Sequence, residues 1–327
     1  MRVLVTGASG MLGGGVARAL AARGDDVTVL QRRPSALEGV REHRGDLRDD
    51  AAVAEAVRGQ DAVVHLAAKV NVVGPWAEYE AINVGGTRSV VAACRDSGVG
   101  RLVHISSPSV AHAGHALVGV GAQPADPAGA RGPYARSKAM AEQVALAAAE
   151  PGRLAVAVLR PHLVWGPGDT QLVARIVERS RRGRLPLLGA GAAMMDTTYV
   201  DNAVDAVVAA LDRAEVASGE PLVVSNGEPR TISEIIGGFC DAAGVPRPRR
   251  HVPVPLALAA GSLVGGAVAL RQRLGHDVET DPPLTRFLAE QLSTAHWFDQ
   301  RRTRELLDWR PRVSLDEGFA RLAASYA

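Results

Sequence analysis

Short apolar runs alternate along the first half of the chain with longer stretches whose apolar positions recur at helical spacing. Arg2–Thr6, Asp26–Leu30, Asp61–Leu66, Arg101–Ser106 and Leu154–Leu159 read as strands, each bounded by glycine or polar residues. Met11–Arg23, Ala51–Val57, Gly86–Asp96 and Tyr134–Ala149 read as the helices between them. Such alternation implies βαβ units, and right-handed crossovers then predict a doubly wound α/β fold on a parallel sheet. The second half is less regular. Asp169–Arg182 and Tyr199–Leu211 have helical spacing, and Leu222–Ser225 reads as one more strand. Beyond Glu228 the helical pieces are joined by prolines, among them Pro246, Pro253, Pro282 and Pro283.

Composition narrows the class. A chain of 327 residues with 47% hydrophobic residues can bury a core, and its length suggests about two domains. The net charge is 37 − 35 = +2, which leaves no electrostatic footprint for nucleic acid. Cys94 and Cys240 are too few and too far apart for a disulfide scaffold or a cysteine zinc site, and no metal site is expected. The N-terminal MRVLVTGASG reads as a strand entering a turn rather than a signal peptide, so the expected location is cytoplasmic. One apolar run, Leu256–Leu270, is 15 residues long. That is short of the ~20 needed to span a bilayer, so it is expected as a buried helix, with peripheral lipid contact through 256–270 as the alternative.

The chemistry begins at Gly7, Gly10 and Gly13 in TGASGMLG, between the first strand and the helix opened by Met11. Glycines there allow a tight turn and let a pyrophosphate approach the unpaired N–H groups of a helix N-terminus. This GxxGxxG spacing after an N-terminal strand resembles the short-chain dehydrogenase/reductase superfamily, and within it the extended branch of nucleotide-sugar epimerases and 3β-hydroxysteroid dehydrogenase-like enzymes. The resemblance implies a Rossmann sheet and a nicotinamide cofactor. The second strand ends in Gln31, Arg32 and Arg33, where an NAD site would carry Asp or Glu. Arginine can pair a 2′-phosphate, so NADP is favoured over NAD. The resemblance places Asp46 and Leu47 beside the adenine, and Leu66, Ala67 and Ala68 of the HLAA turn, with Pro161 and His162 of RPHLVWGPG, against the cofactor. His65 is given no proton-transfer role.

Composition returns at YARSK. The chain has two lysines, Lys69 and Lys138, and four tyrosines, so a chance YxxxK match is expected only about 4 × 2/327, or ~0.02 times. Tyr134 and Lys138 nonetheless fall at i and i+4 on one helix face. A phenol titrates near ~10, and a neighbouring ammonium favours its ionised form. Upstream lies the HISSPSV turn, where the resemblance implies a catalytic hydroxyl. The resemblance assigns it to Ser107, with Ser106 and Ser109 as rivals. Asn83 in NVGGT matches an asparagine of the extended branch, read either as helix entry or as part of a proton relay. Lys69 is expected to be structural.

The resemblance runs through TTYVDNAVDA and WRPRVSLDEGF to the end of the chain. It implies residues 1–165 and 199–226 as the dinucleotide-binding domain and 166–198 and 227–327 as a smaller, mostly helical cover. It further implies hydride transfer between NAD(P) and a secondary alcohol or ketone. Gly, Ala and Pro in the stretch 111–133, with the run 256–270, favour an apolar small-molecule substrate, sterol-like or 3-oxoacyl. A nucleotide-sugar epimerase or dehydratase is the alternative. A cofactor-sensing scaffold without chemistry is a third reading, against which the Tyr134–Lys138 pair counts. A homodimer is common in the superfamily.

Overall fold

The computed structural model describes residues 1–71, 74–112, 114–273 and 285–327, the last five of the third span by backbone alone. Pro282 and Pro283 lie outside the described residues. Seven parallel strands form the main sheet: β1 (Arg2–Thr6), β2 (Asp26–Gln31), β3 (Arg41–Arg44), β4 (Ala62–His65), β5 (Arg101–Ile105), β6 (Ala155–Pro161) and β7 (Pro221–Val224). Their order is β7-β6-β5-β4-β1-β2-β3, with the reversal between β1 and β4. Ligands of such sheets bind beyond the carboxyl ends of the strands at that reversal.

The central strands are buried on both faces, and the chain's apolar runs end up there. Helices Met11–Ala22 and Val200–Asp212 cover one face through Val16, Leu20, Val204 and Val207. Helices Asp50–Val57, Gly86–Asp96 and Gly132–Leu146 cover the other through Val53, Val57, Val90, Cys94 and Ala145. The doubly wound α/β architecture is thus as the alternation predicted.

Three features differ from the sequence reading. The edge strand β3 has the sequence REHR and no apolar position, so periodicity could not reveal it. It is held by its parallel pairing to β2, and charged side chains suit an exposed edge. Outside the main sheet helices dominate, but Arg230–Thr231, Met194–Met195, His296–Phe298 and Leu117–Val120 assemble a second, four-stranded sheet. Its strands are two to four residues long, too short to carry a pattern.

The third difference is a correction. The run expected as a buried helix forms the helix Val254–Arg273, but Leu256 is 61% and Leu263 77% exposed. Its apolar residues are not confined to one face in the sequence, and among the described residues the short helix Arg286–Ser293 packs along it. That contact is close at Gly261, where a Cβ would stand 2.6 Å from the Arg286 nitrogen. Among the described residues, that short helix and Leu188, which packs with Ala257, leave its other sides exposed. Among the described residues no helix is long and apolar enough to cross a membrane.

Candidate active site

The glycine turn joins β1 to the first helix. Gly7 takes φ +77°, and a Cβ on it would sit 2.7 Å from the Ala67 nitrogen. A Cβ on Gly13 would meet the Gly7 carbonyl oxygen at 2.3 Å. A side chain at Gly7 would therefore break the contact between this turn and the HLAA turn, and one at Gly13 would push the first helix off the glycine turn. Gly10 is extended at the helix entry, and no side chain caps the helix that Met11 opens. Its first N–H groups stay available to an anion, as a pyrophosphate cradle requires.

The turn after β4 is fixed from below by Thr6. Its hydroxyl accepts from the Ala67 N–H at 3.2 Å and bonds His65 Nδ1 at 2.8 Å. On the other side of the ring, Nε2 meets the Thr87 hydroxyl at 3.1 Å, and Thr87 donates to the Asn83 carbonyl at 2.6 Å. Every group is satisfied if Thr6 donates to Nδ1 and the ring donates from Nε2. Burial, reinforced by the Lys138 charge, pushes His65 down to about 3. It stays neutral, in keeping with a structural role.

The far rim of the cleft is cationic. Arg32 and Arg33 follow β2 and are exposed, and neither side chain makes an ion pair among the described residues. Gln31 is buried and donates to Glu42 at 3.2 Å. Asp46 is gripped by Arg48 through contacts of 3.0 and 2.6 Å, which hold its carboxyl at about 2. Leu47 is buried against Gly86.

The helix Gly132–Leu146, with Pro133 in its first turn, carries Tyr134, Lys138 and Glu142 at successive i+4 positions. Lys138 is 4% exposed, and its Nζ donates to the carbonyl of Ile105, the last residue of β5. Burial pulls its ammonium down to about 8, and the Glu142 charge opposes that fall. Glu142 is itself locked to Arg160 of β6 by contacts of 2.8 and 2.5 Å, with both side chains buried. Sequence reasoning passed over this pair, although Glu142 four residues after Lys138 was its signal.

Tyr134 meets the serine turn. Burial raises its phenol above the usual value, and a hydrogen bond with Ser107 pulls it back. Ser107 caps the short turn Pro108–Ala111, accepting from the Ser109 N–H at 3.3 Å, and its hydroxyl bonds that of Ser109 at 2.9 Å. Ser106 is buried, its hydroxyl without a partner. Of the three serines, Ser107 is the one the structure brings to Tyr134.

Asn83 is buried in a π-helical turn, Glu80–Gly85. Its amide oxygen accepts from the Lys69 N–H at 2.7 Å, and its nitrogen donates to the Lys69 carbonyl at 3.1 Å and to Ser137 at 2.9 Å. It clamps the segment after β4 onto the Tyr134 helix. Lys69 pairs with Glu78 at 2.7 Å, as a structural lysine would. Pro161 ends β6, and His162 Nδ1 lies 2.9 Å from buried Asp196. Asp196 also accepts from Ser225 and from the Phe298 N–H.

Beyond the carboxyl end of β6 lies a cavity of about 180 Å³. Leu163, Ile176, Leu187, Met195, Ile235 and Phe239 are among its apolar walls, and Arg175 and Arg179 stand at its border. This volume is below the ~300–1,000 Å³ of pockets that enclose drug-sized ligands, and it suits an alkyl chain better than a nucleotide.

Residues 3–225 match the NAD-dependent epimerase/dehydratase family. The chain is 43% identical over 336 residues to a 2-alkyl-3-oxoalkanoate reductase of Stenotrophomonas maltophilia, covering 100% of both proteins. It is 31% identical over 304 residues to 3β-hydroxysteroid-dehydrogenase/decarboxylase isoform 2 of Arabidopsis thaliana, covering 89% of this chain and 53% of that one. Among solved structures, MoeE5 in complex with UDP-glucose and NAD superposes with a TM-score of 0.76 at 26% identity, covering 99% of this chain and 98% of that one. The chain therefore belongs to the NAD-dependent epimerase/dehydratase family, the extended branch of the short-chain dehydrogenases/reductases, and is an NAD(P)-dependent oxidoreductase.

Proposed function

We propose that the protein is an NADP(H)-dependent reductase of an apolar 3-oxoacyl substrate, a 2-alkyl-3-oxo acid or a near relative of one. The observation that carries the reading is the Ser107–Tyr134–Lys138 cluster standing at the same sheet edge as an apolar cavity. The glycine turn fits a dinucleotide, because no side chain caps the helix that Met11 opens and Gly10 places no side chain over its first N–H groups. The cofactor supplies the hydride. Gly7, Gly10, Met11 and Gly13 would hold the pyrophosphate, Leu66, Ala67, Ala68, Pro161 and His162 would line the nicotinamide side, and Asp46 and Leu47 the adenine side. Arg32 and Arg33 would pair the 2′-phosphate.

The protein's own groups handle the proton. With its phenol raised by burial, Tyr134 is protonated at neutral pH and poised to donate to the oxygen of a ketone being reduced. Ser107 holds that oxygen by a second hydrogen bond. The Lys138 ammonium favours the phenolate that remains after donation. Asn83 acts as a positioning residue through its clamp on Lys69 and Ser137. The substrate's alkyl branch would enter the cavity, and Arg175 and Arg179 would give its carboxylate a cationic neighbourhood.

The domain division follows the same reading, with 1–165 and 199–226 binding cofactor and 166–198 and 227–327 closing over substrate. The exposed apolar residues of Val254–Arg273 support peripheral lipid contact through 256–270. Two free, buried cysteines are in keeping with a cytoplasmic location. The superfamily resemblance is the sole ground for proposing a homodimer.

The test is oxidation of NADPH and NADH by the purified protein with 2-alkyl-3-oxo acids, sterol ketones and nucleotide sugars. Net oxidation of NADPH by the first class supports the reading. Nucleotide-sugar turnover without net redox change would replace it with the epimerase alternative.

A further inference from the structure

Among the described residues, Leu163 (φ +43°) and Asp308 (φ +48°) are the non-glycine residues in the left-handed region. Asp308 closes the helix Arg301–Leu307, a position where a left-handed residue is ordinary. Leu163 closes no helix. It sits between β6 and the short strand Val164–Trp165, and a long side chain there carries a steric cost that Gly or Asn largely avoids.

The conformation is held from both sides. Before it, the His162 N–H donates to the Val224 carbonyl at 2.9 Å. The Leu163 carbonyl itself accepts from the Thr198 N–H at 3.3 Å. After it, Val164 pairs with Thr198. A strained residue fixed this firmly marks a place where the side chain matters. That side chain lines the apolar cavity with Leu172, Ile176, Leu187, Met195 and Ile235. Its position ties the cavity to the chemistry. Leu159 of β6 lies opposite Ile105 of β5, so Leu163 and Ser107 leave adjacent strands at the same edge of the sheet.

We propose that Leu163 is a specificity-determining residue, held in a left-handed turn so that it presents an apolar wall to the alkyl branch of the substrate. The inference rests on the reductase reading above and adds the residue that selects chain length. The strain is the cost of placing leucine where the backbone would favour asparagine or glycine.

The experiment compares wild type, Leu163→Asn and Leu163→Met with 2-methyl- and 2-decyl-3-hydroxyalkanoic acids and NADP⁺, following NADPH formation. The ratio of kcat/KM, decyl over methyl, is expected to fall on the order of ten-fold or more in Leu163→Asn and to be largely kept in Leu163→Met. An unchanged ratio in Leu163→Asn, or an equal loss on both substrates, overturns the proposal. The melting temperature of each variant with and without decanoate is measured alongside. Decanoate is expected to stabilise wild type and Leu163→Met but not Leu163→Asn. An equal shift, or none, in all three also overturns it. If wild type oxidises neither acid, the reductase reading fails while the decanoate shifts still decide the role of Leu163.

Discussion

The Lys138 ammonium donates a buried hydrogen bond to the main-chain carbonyl of Ile105, the residue at which β5 ends and the serine turn begins. One side chain thus ties the helix that carries Tyr134 to the strand that delivers Ser107. It does so as a cation in a desolvated place, where an apolar residue would cost less.

Lys138→Met is therefore expected to abolish turnover and to remove the pH dependence of stability that the buried ammonium imposes. The lysine titrates at about 8 when folded, against 10.5 unfolded. Below pH 8 both states are charged, and the folded state bears the desolvation penalty. Between those values the unfolded chain holds more protons, so wild-type stability rises with pH through that window. The shift corresponds to about 3 kcal/mol at most. Urea unfolding at pH 7 and pH 10 checks this: wild type should gain stability relative to Lys138→Met on going from pH 7 to pH 10.

Asn83→Leu should lower stability by about 2 kcal/mol, because the main-chain groups of Lys69 lose their buried partner. Turnover should fall less than on loss of the Tyr134 hydroxyl, since Asn83 acts by holding the helix in place. Denaturant midpoints and kcat, measured on the same preparations, separate the two effects.

Much of this arrangement was legible in the sequence. The strands β1, β2, β4, β5 and β6 are concentrated apolar runs, and the glycine turn and YxxxK follow from local spacing. Scarcity of lysine made Lys138 stand out. Other parts depend on tertiary context. β3 has no apolar residue and exists because β2 offers it an edge. The four-stranded sheet joins Leu117–Val120 to His296–Phe298, segments far apart in the chain that carry no pattern of their own. Whether the apolar run at 256–270 is covered depends on how many neighbours pack on it, which composition does not encode. The left-handed turn at Leu163 is invisible in sequence because leucine gives no hint of it.

Arg160→Met should cost about 3–5 kcal/mol by leaving the Glu142 carboxylate buried without its partner. The double variant Arg160→Met/Glu142→Leu should recover much of that loss. Thermal unfolding of the singles and the double forms a cycle, and additive losses would contradict the pairing.

Arg32→Ala/Arg33→Ala should raise KM for NADPH relative to NADH by roughly 10- to 100-fold, the value of about 1.5–3 kcal/mol for hydrogen bonds to a charged group. Initial rates with each cofactor at fixed substrate give the ratio. An unchanged ratio would move the 2′-phosphate away from these arginines.

The most direct test of the account is Tyr134→Phe. The variant keeps the ring and removes the proton donor. Cofactor affinity, read by fluorescence titration of NADPH, should stay within a few-fold of wild type, and kcat for ketone reduction should fall by about 10²–10⁴. Retained turnover with intact cofactor binding would contradict the assignment of Tyr134 as the acid.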